Sequence, residues 1–362
     1  MTQILAVRGA LPEHTYSQEE LTAGFGDLIV TADGLDRAVL ERVHAHAGVS
    51  TRHLTLPLES YAGLESFGQA NDLFLEHAVA LGAEAVTAAL KAADLAPDDV
   101  DLVVSTTITG VAVPSLEARI APLIGLRPDV KRMPVVGLGC VAGAAGVARV
   151  HDYLVGHPDQ VAVLVSVELC SLTVQRQDTA MANVVASGLF GDGAAAVVAV
   201  GDAHPRARRT ATVPDEGPHP TVVASRSRLY PDTERAMGWD VGANGFRIVL
   251  GAEVPGLVEQ YVGADVDTFL AHHDLTRANI GWWVCHPGGP KVLVAMQAAL
   301  GVERDALALT WDSLDRIGNL SSASVLHVLA DTLRVRPPAP GSYGVLMAMG
   351  PGFCLELVLL RG

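Results

Sequence analysis

The chain has 362 residues, of which 49% are hydrophobic and 18% charged, so it can bury a large core in two ordinary domains or in one duplicated architecture. Its formal net charge of −15 argues against a nucleic acid or an anionic membrane as its partner. We find no apolar run of the ~20 residues that span a bilayer and no signal-peptide pattern. The four widely spaced cysteines fit thiols in a reducing cytoplasm.

Helix and strand patterns alternate along the first half of the chain. Residues 71–93 have helical periodicity and lead into DVDLVVSTT (99–107), which begins polar and continues as a buried strand. Residues 140–155 predict a helix that begins in small side chains, and VAVLVSVEL (161–169) and AAAVVAV (194–200) predict two further buried strands. This alternation predicts an α/β fold with a mostly parallel sheet and helices on both faces.

Residues 201–234 interrupt the alternation. They begin with GDAHPRARRTATVPDEGPHP, which is rich in proline, glycine and charge and predicts a surface excursion between two halves of the chain. The second half then repeats features of the first. The similar pairs are 95–107 with 272–289, LGCVAGAAGVARVHDYL (138–154) with IGNLSSASVLHVLADTL (317–333), and 191–200 with 341–352. Three matches in the same order favour an internal duplication.

The turn at 137–142 has two competing interpretations. Gly137, Gly139 and Ala142 fit G-x-G-x-x-A, a turn that holds the pyrophosphate of a dinucleotide. Cys140, in contrast, stands where a nucleophile would lie at a helix N-terminus. A nicotinamide-dependent oxidoreductase needs an acidic residue about 20 positions later, at the end of the next strand. Asp159 precedes that strand, and the residues at that distance, 160–164, are not acidic, which favours the nucleophile.

The duplication turns three separate residues into one set. Cys140 opens a helix in the first half, Asn319 takes the matching position in the second half, and His286 follows the strand WWVC. If the halves pack about a pseudo-twofold axis, the two helix N-termini and the histidine loop meet. We expect a thiolate–imidazolium pair of Cys140 and His286 that accepts an acyl group from a thioester. His286 and Asn319 can then donate hydrogen bonds to the enolate that forms when a malonyl thioester loses CO2.

Motifs along nearly the whole chain carry a family resemblance. They are TRHL (51–54), VPSLEARIAPLIGLRPDVKR (113–132), LGCVAGAAG (138–146), VELCSLT (167–173), GLFGDGAAAVV (188–198), CHPGGPKVL (285–293), GNLSSASV (318–325) and MGPGF (349–353). Together they resemble the chalcone/stilbene synthase superfamily, the type III polyketide synthases. The resemblance implies a thiolase-like duplicated α/β fold, layered αβαβα with two mixed β-sheets and pseudo-twofold symmetry. It divides the chain into an N-terminal half, 1–205, and a C-terminal half, 206–362.

The resemblance also implies roles for particular residues. Cys140 is expected to carry the acyl group, with His286 and Asn319 supporting decarboxylation and thiolate formation. Phe190, in GLFGDG, is expected to be the gatekeeper between a CoA tunnel and the reaction cavity. The other implied cavity-lining positions are Thr109, Val113, Cys170, Thr173, Trp239, Ile248, Ser321 and Met349.

The segment LYPDTERAMGWDVGANGFRIVL (229–250) resembles bacterial members that make alkylpyrones and alkylresorcinols, including germicidin-type pyrone synthases. Where plant members have a second gatekeeping phenylalanine and a cavity glycine, the alignment places Ile248 and Trp239. Met349 likewise replaces a phenylalanine of the plant glycine-rich loop. These departures favour an aliphatic starter over an aromatic one.

The expected function is therefore an acyltransferase that performs iterative decarboxylative condensation. It would extend a fatty acyl or β-ketoacyl starter, delivered as acyl-CoA or acyl-ACP, with malonyl-CoA or alkylmalonyl-CoA and close an alkyl α-pyrone or a resorcinol. The resemblance implies a homodimer with Val113 near the partner subunit, and CoA phosphates held by Arg42 and Arg52. CoA thioesters are substrates in this scheme, and no cofactor or metal is expected.

Two other functions remain open. A single-condensation enzyme of the 3-ketoacyl-ACP synthase III type shares the Cys, His and Asn set, and FGDGAAA does not separate the two. The M-G-P-G turn and the phenylalanine of FGDG favour the type III synthase. A non-catalytic acyl-CoA-binding module is the third possibility, but such a module has no use for a nucleophile.

Overall fold

A computed structural model describes residues 1–29, 36–210 and 219–362, apart from the side chains of 208–210. The strands in these ranges are β1 (Thr2–Ala10), β2 (His14–Ser17), β3 (Thr51–Leu54), β4 (Leu102–Thr107), β5 (Lys131–Val136), β6 (Val161–Leu169), β7 (Asp192–Gly201), β8 (Thr221–Leu229), β9 (Met237–Gly242), β10 (Gly245–Leu250), β11 (Ile280–Cys285), β12 (Tyr343–Gly350) and β13 (Cys354–Arg361). The α-helices are α1 (Gln18–Ile29), α2 (Arg37–Ala45), α3 (Phe67–Ala92), α4 (Leu116–Ile124), α5 (Ala142–Gly156), α6 (Met181–Leu189), α7 (Pro205–Thr210), α8 (Val254–Ala271), α9 (Pro290–Leu300), α10 (Ala308–Ile317) and α11 (Ser324–Val335).

Most of the strands join one nine-stranded mixed sheet in the order β11-β12-β13-β8-β1-β7-β6-β4-β5. In the first half, β4 pairs parallel with β6, and β7 pairs antiparallel with both β6 and β1. In the second half, β11 pairs parallel with β12, and β13 pairs antiparallel with both β12 and β8. The halves therefore repeat one strand order and one set of strand directions, which confirms the predicted duplicated α/β fold.

The two halves meet at the centre of this sheet, so the two separate sheets that the resemblance implies are instead two arms of one sheet. β1 and β8, the equivalent first strands of the halves, pair antiparallel at Thr2↔Val222 and Gln3↔Thr221. This pairing satisfies backbone groups that each strand would otherwise present at an open edge. An antiparallel pair of equivalent strands has local twofold symmetry, so the junction also relates the two halves by a pseudo-twofold axis.

Three layers of helices and the two arms of the sheet stack in five layers. Val163 and Val165 of β6 pack in a core with α3 and α4, whereas Ala162 and Leu164 pack in the opposite core with α5. β12 and β13 alternate in the same way between the core around α5 and α11 and an outer core with α8 and α9. Because side chains of a strand alternate between its faces, α5 and α11 form the central layer of the αβαβα arrangement.

The predicted elements of the first half agree with the structure to within a few residues. β6 spans the predicted 161–169. α3 begins at Phe67, ahead of the predicted start, because the Ser66 hydroxyl accepts the Gln69 backbone N–H and caps the helix. Half of the most apolar 18-residue window of α3 is buried. By length and composition α3 could cross a membrane, but here it packs on β1, β6 and β7 as a core helix.

The structure of residues 201–234 differs from the predicted surface excursion. α7 and β8 lie within it, and β8 is an inner strand of the sheet. Its sequence, TVVASRSRL, lacks the pattern of a buried strand because most of its side chains are only partly buried and several are polar. Residues 211–218 of the excursion lie outside the described ranges.

Candidate active site

Cys140 lies in a short 3₁₀ turn, Gly139–Val141, directly before α5. Gly137 and Gly139 have φ angles of +95° and +59°, which residues with a Cβ atom rarely adopt. A Cβ atom at Gly139 would also lie 2.7 Å from the Pro351 ring. The glycines of the G-x-G-x-x-A pattern therefore shape the turn that holds Cys140.

The end of β12 supports this turn from the other half of the chain. A Cβ atom at Gly350 would lie 2.6 Å from the Leu138 carbonyl oxygen and 2.9 Å from the Val141 backbone nitrogen. The glycine of the M-G-P-G motif thus allows two backbone segments to touch. Cys140 is held in place by both halves.

Asn319 lies between α10 and α11, in a loop tied to the end of α6. Its backbone N–H donates to the Leu189 carbonyl at 3.0 Å, and its own carbonyl accepts the Gly191 N–H at 3.0 Å. This pairing forms a parallel β-bridge between Asn319 and Phe190. The side-chain Oδ1 of Asn319 accepts the Ser321 backbone N–H at 2.8 Å. The acceptor end of the amide is therefore occupied, which leaves the Nδ2–H₂ group as a donor for a substrate oxygen.

The helix starts correct the expectation that Asn319 matches Cys140 in position. α5 follows the 3₁₀ turn Gly139–Val141, and α11 follows the 3₁₀ turn Ser321–Ala323. Counted from these turns, the counterpart of Cys140 is Ser322, and Asn319 lies about one 3₁₀ turn earlier. The two residues meet because the loops converge, and not because they share one position in a repeat.

The three predicted catalytic residues border one cavity, with the Cys140 Sγ 3.6 Å from the Ser321 hydroxyl oxygen. His286 is 2% exposed and follows β11, where its backbone N–H donates to the Met347 carbonyl at 3.0 Å. Its Nδ1 is buried and has no hydrogen-bond partner among the described residues. The structure thus brings Cys140, His286 and Asn319 together as the sequence predicts.

Residues from both halves of the chain line the cavity. The predicted lining residues that border it are Thr109, Cys170, Thr173, Phe190, Trp239, Ile248, Ser321 and Met349. β9 and β10 form one wall, in which Trp239 stands opposite Ile248 in the ladder. The Trp239 ring lies 5.9 Å from that of Phe246.

Two predicted site residues do not take the positions that the resemblance implies. Val113 is 91% exposed and does not border the cavity of its own chain. Arg52 is 1% exposed, and its Nη1 donates to the carbonyls of Ser187 and Phe190, both at 2.8 Å. Arg52 is therefore buried beneath the predicted gate and does not face a CoA phosphate at the surface. Arg42 is exposed on α2 and is still available for that contact.

Burial decides the resting protonation of the site. Desolvation raises the pKa of Cys140 to about 12, opposed by the hydrogen bond with Ser321. It also lowers the pKa of His286 to about 3. In both cases the cavity disfavours the charged form. Burial therefore opposes the thiolate–imidazolium pair that the sequence predicts, and that pair stays a prediction.

A buried carboxylate that the sequence analysis does not single out lies beside these residues. Glu168, at the end of β6, accepts hydrogen bonds from the Ser322 hydroxyl at 2.5 Å, the Thr109 hydroxyl at 2.8 Å and the Ile108 N–H at 3.0 Å. It therefore ties the loop before α11 to the end of β4. Burial raises the pKa of Glu168, while these donors favour its charged form. A glutamate inside an apolar strand pattern is the signal that could have revealed it, because a buried charge needs partners.

Comparison with known proteins gives matches over most of the chain. Sequence profiles described as "Chalcone and stilbene synthases", N-terminal domain and C-terminal domain, match residues 1–204 and 221–362. The 1,3,6,8-tetrahydroxynaphthalene synthase of Streptomyces peucetius subsp. caesius is 56% identical over 361 residues, which cover 99% of this chain and 93% of that protein. The 3,5-dihydroxyphenylacetyl-CoA synthase of Streptomyces toyocaensis is 34% identical over 364 residues, covering 99% and 90%.

A solved structure gives the same result. The 1,3,6,8-tetrahydroxynaphthalene synthase of Streptomyces coelicolor A3(2), a bacterial type III polyketide synthase, superposes with a TM-score of 0.90 at 28% identity. The match covers 99% of this chain and 99% of that one.

Proposed function

The chain belongs to the chalcone and stilbene synthase family and is a type III polyketide synthase, and on that basis we propose that it builds a polyhydroxylated naphthalene from malonyl units on Cys140. The observation that carries this proposal is the 56% identity, over 99% of the chain, to a 1,3,6,8-tetrahydroxynaphthalene synthase. All carbons of a naphthalene can come from two-carbon malonyl-derived units. Hydroxyls at alternating ring positions are the oxygens that a polyketide chain retains.

In the proposed reaction, the Cys140 sulfur takes an acyl group from a CoA thioester, and the CoA thiol leaves. A malonyl thioester then loses CO2. The electron pair of the broken bond forms a new carbon–carbon bond to the acyl carbonyl, and the Cys140 sulfur departs. The Nδ2–H₂ of Asn319 and a ring N–H of His286 stabilise the enolate oxygen of this step. Asn319 suits the role because an amide donates without titrating.

The thiol proton of Cys140 has to move when the acyl group arrives. His286 is neutral at rest because burial lowers its pKa to about 3, so its ring has a free acceptor site for that proton. Burial disfavours each charge taken alone, and so the ion pair exists only while the acyl group is being transferred.

A second candidate is an alkyl α-pyrone or resorcinol synthase that uses a fatty acyl or β-ketoacyl starter. The apolar wall of the cavity supports it. The side chains involved are Ile108, Val174, Leu189, Met237, Ile248 and Met349. Such a surface can enclose an alkyl chain by the hydrophobic effect. The two candidates differ in the starter and share the same condensing residues.

Incubation of the purified protein with malonyl-CoA alone, and with malonyl-CoA plus a series of acyl-CoA or acyl-ACP starters, separates the candidates by product mass. If the first candidate is correct, malonyl-CoA alone gives a tetrahydroxynaphthalene or its oxidation product. If the second candidate is correct, the product mass increases with the mass of the starter. Cys140→Ala should make neither, and a Cys140→Ala protein that still condenses would contradict both candidates. A single condensation per starter would instead support a 3-ketoacyl-ACP synthase.

We also propose a cytoplasmic homodimer that works without a metal or another cofactor, with Arg42 near the CoA phosphates. The dimer is supported by exposed apolar side chains at Val113 (91% exposed) and Val136 (67% exposed), and by β5 at the edge of the sheet. Sedimentation should give a dimer, and Val113→Lys should shift it toward a monomer. Activity should survive exhaustive dialysis against a chelator, and its loss would contradict the cofactor-free proposal.

A further inference from the structure

Arg52 is a buried arginine with an unused hydrogen-bonding edge. It borders the cavity that holds Cys140 and is 1% exposed. Its Nη1 donates to the Ser187 and Phe190 carbonyls, whereas Nε and Nη2 are buried and lack any partner among the described residues. A buried charged donor without an acceptor is costly. The cost disappears if a ligand supplies the acceptor.

The unused edge has a particular shape. The Nε–H and Nη2–H bonds of a guanidinium point in parallel and match two coplanar oxygen atoms, as in a carboxylate. The side chain is also held in place before any ligand arrives. A Cβ atom at Gly318 would lie 3.1 Å from the Arg52 Cγ and Cδ, and the guanidinium carbon lies 5.9 Å from the Phe25 ring centre. A pre-positioned donor pair loses little conformational freedom when it binds.

The surroundings leave the Arg52 charge available. Burial lowers the pKa of Arg52 to about 10, so the group is still charged at neutral pH, and buried Asp192 acts in the opposite direction. The Asp192 carboxylate accepts the Ser171 N–H at 2.8 Å, the Ser171 hydroxyl at 2.5 Å and the Thr55 N–H at 2.8 Å. The carboxylate is thus engaged elsewhere and does not occupy the open edge of Arg52.

We propose that the Nε–Nη2 edge of Arg52 binds two oxygens that share one negative charge on the acyl chain inside the cavity, which makes Arg52 a specificity-determining residue. The inference rests on the proposed function, since malonyl-derived chains carry such groups. Two sources supply this chemistry: the terminal carboxylate of a malonyl-derived starter, and the enolised 1,3-diketone of a growing chain. A saturated alkyl starter has neither group before it is extended.

The substitution Arg52→Lys tests the proposal because it keeps the charge and removes the paired donors. Intact-protein mass spectrometry follows the loading of malonyl and butanoyl groups on Cys140, and product analysis gives the number of condensations. If the carboxylate is the ligand, malonyl loading should fall about tenfold or more while butanoyl loading stays within about twofold of wild type. If the diketone is the ligand, both groups should load normally and shorter chains should be released. Wild-type loading together with wild-type chain lengths would overturn the proposal.

Arg277→Lys is the matched control. Arg277 also donates to two backbone carbonyls, those of Ala299 and Gly263, at 2.7 and 2.8 Å, and it does not border the cavity. The Arg277→Lys variant should therefore show any general loss of stability that follows from replacing a partly buried arginine. The control should leave starter preference and chain length unchanged.

If Arg52→Lys does not fold, inhibition of the wild-type enzyme tests whether Arg52 binds an anionic group. CoA thioethers cannot acylate Cys140, so S-carboxymethyl-CoA, an S-linked 1,3-diketone analogue and S-propyl-CoA serve as probes. At least one anionic analogue should bind about tenfold more tightly than the propyl analogue. Equal binding of all three would overturn the proposal. The identity of the final product, which tests the proposed function, does not enter this comparison.

Discussion

Cys140, the proposed nucleophile, lies in a cavity that disfavours charge. Its pKa is raised to about 12 and that of His286 is lowered to about 3, both chiefly by desolvation. Ionisation of the thiol is therefore coupled to the arrival of a substrate that can share the charge. Asn319 fits such a site because its Oδ1 is held by the Ser321 N–H and its donor end never titrates.

Alkylation of Cys140 in the substrate-free enzyme should accelerate with pH. The thiolate is the reacting form, and a pKa near 12 makes the rate rise about tenfold per unit between about pH 7 and pH 9. Mass spectrometry of the Cys140 peptide after timed exposure to iodoacetamide measures this rate. A rate that stays constant over the range would indicate a pre-formed thiolate–imidazolium pair.

At the scale of secondary-structure elements, the site depends on how closely α5 and α11 approach. A Cβ atom at Gly143 would lie 2.2 Å from the Ser322 carbonyl oxygen and 2.7 Å from Val325 Cγ1. The glycine thus sets the spacing between the helix that follows Cys140 and the turn that follows Asn319. The small residues at the start of α5 have a steric role as well as a helix-forming one.

Gly143→Ala should damage both stability and activity. Overpacking of this kind costs ~1–3 kcal/mol in the free energy of unfolding, and a displacement of about 1 Å between catalytic groups can lower kcat about a hundredfold. Urea denaturation and steady-state kinetics measure the two effects.

Gly156→Ala provides the control within the same helix. Among the described residues, no atom beyond the adjacent residues and the helix's own backbone lies within 4 Å of a Cβ at Gly156, so this change should be neutral or stabilise by ~0.4–1 kcal/mol. Equal behaviour of the two variants would contradict the steric argument.

The β9–β10 hairpin is the second element that decides function, since it contributes Trp239 and Ile248 to the cavity wall. Trp239→Gly should open space on that wall and shift the products toward longer chains or a different ring closure. Product masses measure the shift, and Trp239→Phe, which keeps most of the side-chain volume, should change them less. An unchanged product profile would remove Trp239 from the determinants of chain length.

At the scale of the whole molecule, burial of titratable groups couples the fold to pH. His44 is 1% exposed, with ring nitrogens 3.0 Å from the Thr22 hydroxyl oxygen and 3.1 Å from the Ser187 hydroxyl oxygen. Desolvation, together with the charge of Arg52, lowers its pKa to about 4. His286 is lowered further, to about 3. Both residues are therefore neutral in the fold and would be partly protonated in the unfolded chain near pH 6.

The folded protein should lose stability as the pH falls below about 6.5, where unfolded histidine titrates. Between pH 6.5 and the lowered folded pKa values the unfolded state binds more protons, so each of these histidines removes about 2 kcal/mol from the free energy of unfolding by pH 5. Denaturant melts at pH 7 and pH 5 measure the loss. His44→Gln should lose about 2 kcal/mol less than wild type, and an equal loss in both proteins would argue against a neutral His44.

Local patterns of the sequence predicted much of the fold and the central residues of the site. Apolar runs are enough to locate a strand buried on both faces, and so β6 has its predicted bounds. The ordered repeat of turn and helix patterns indicated the duplication, and it made Cys140, His286 and Asn319 a set. The structure brings these three residues to one cavity.

The sequence by itself thus determined the duplicated α/β fold and the candidate condensing residues, because these follow from local patterns and from chemistry. Only the tertiary structure decided that the halves share one sheet through β1 and β8, that burial opposes charge on Cys140 and His286, and that Arg52 is buried. Each of these depends on which distant residues remove water from a group. Arg52 and the Phe190 carbonyl it binds are 138 positions apart. No local sequence pattern predicts that two residues so far apart in the chain come into contact. The burial of a side chain, more than its residue type, sets its charge state and its available hydrogen-bond partners.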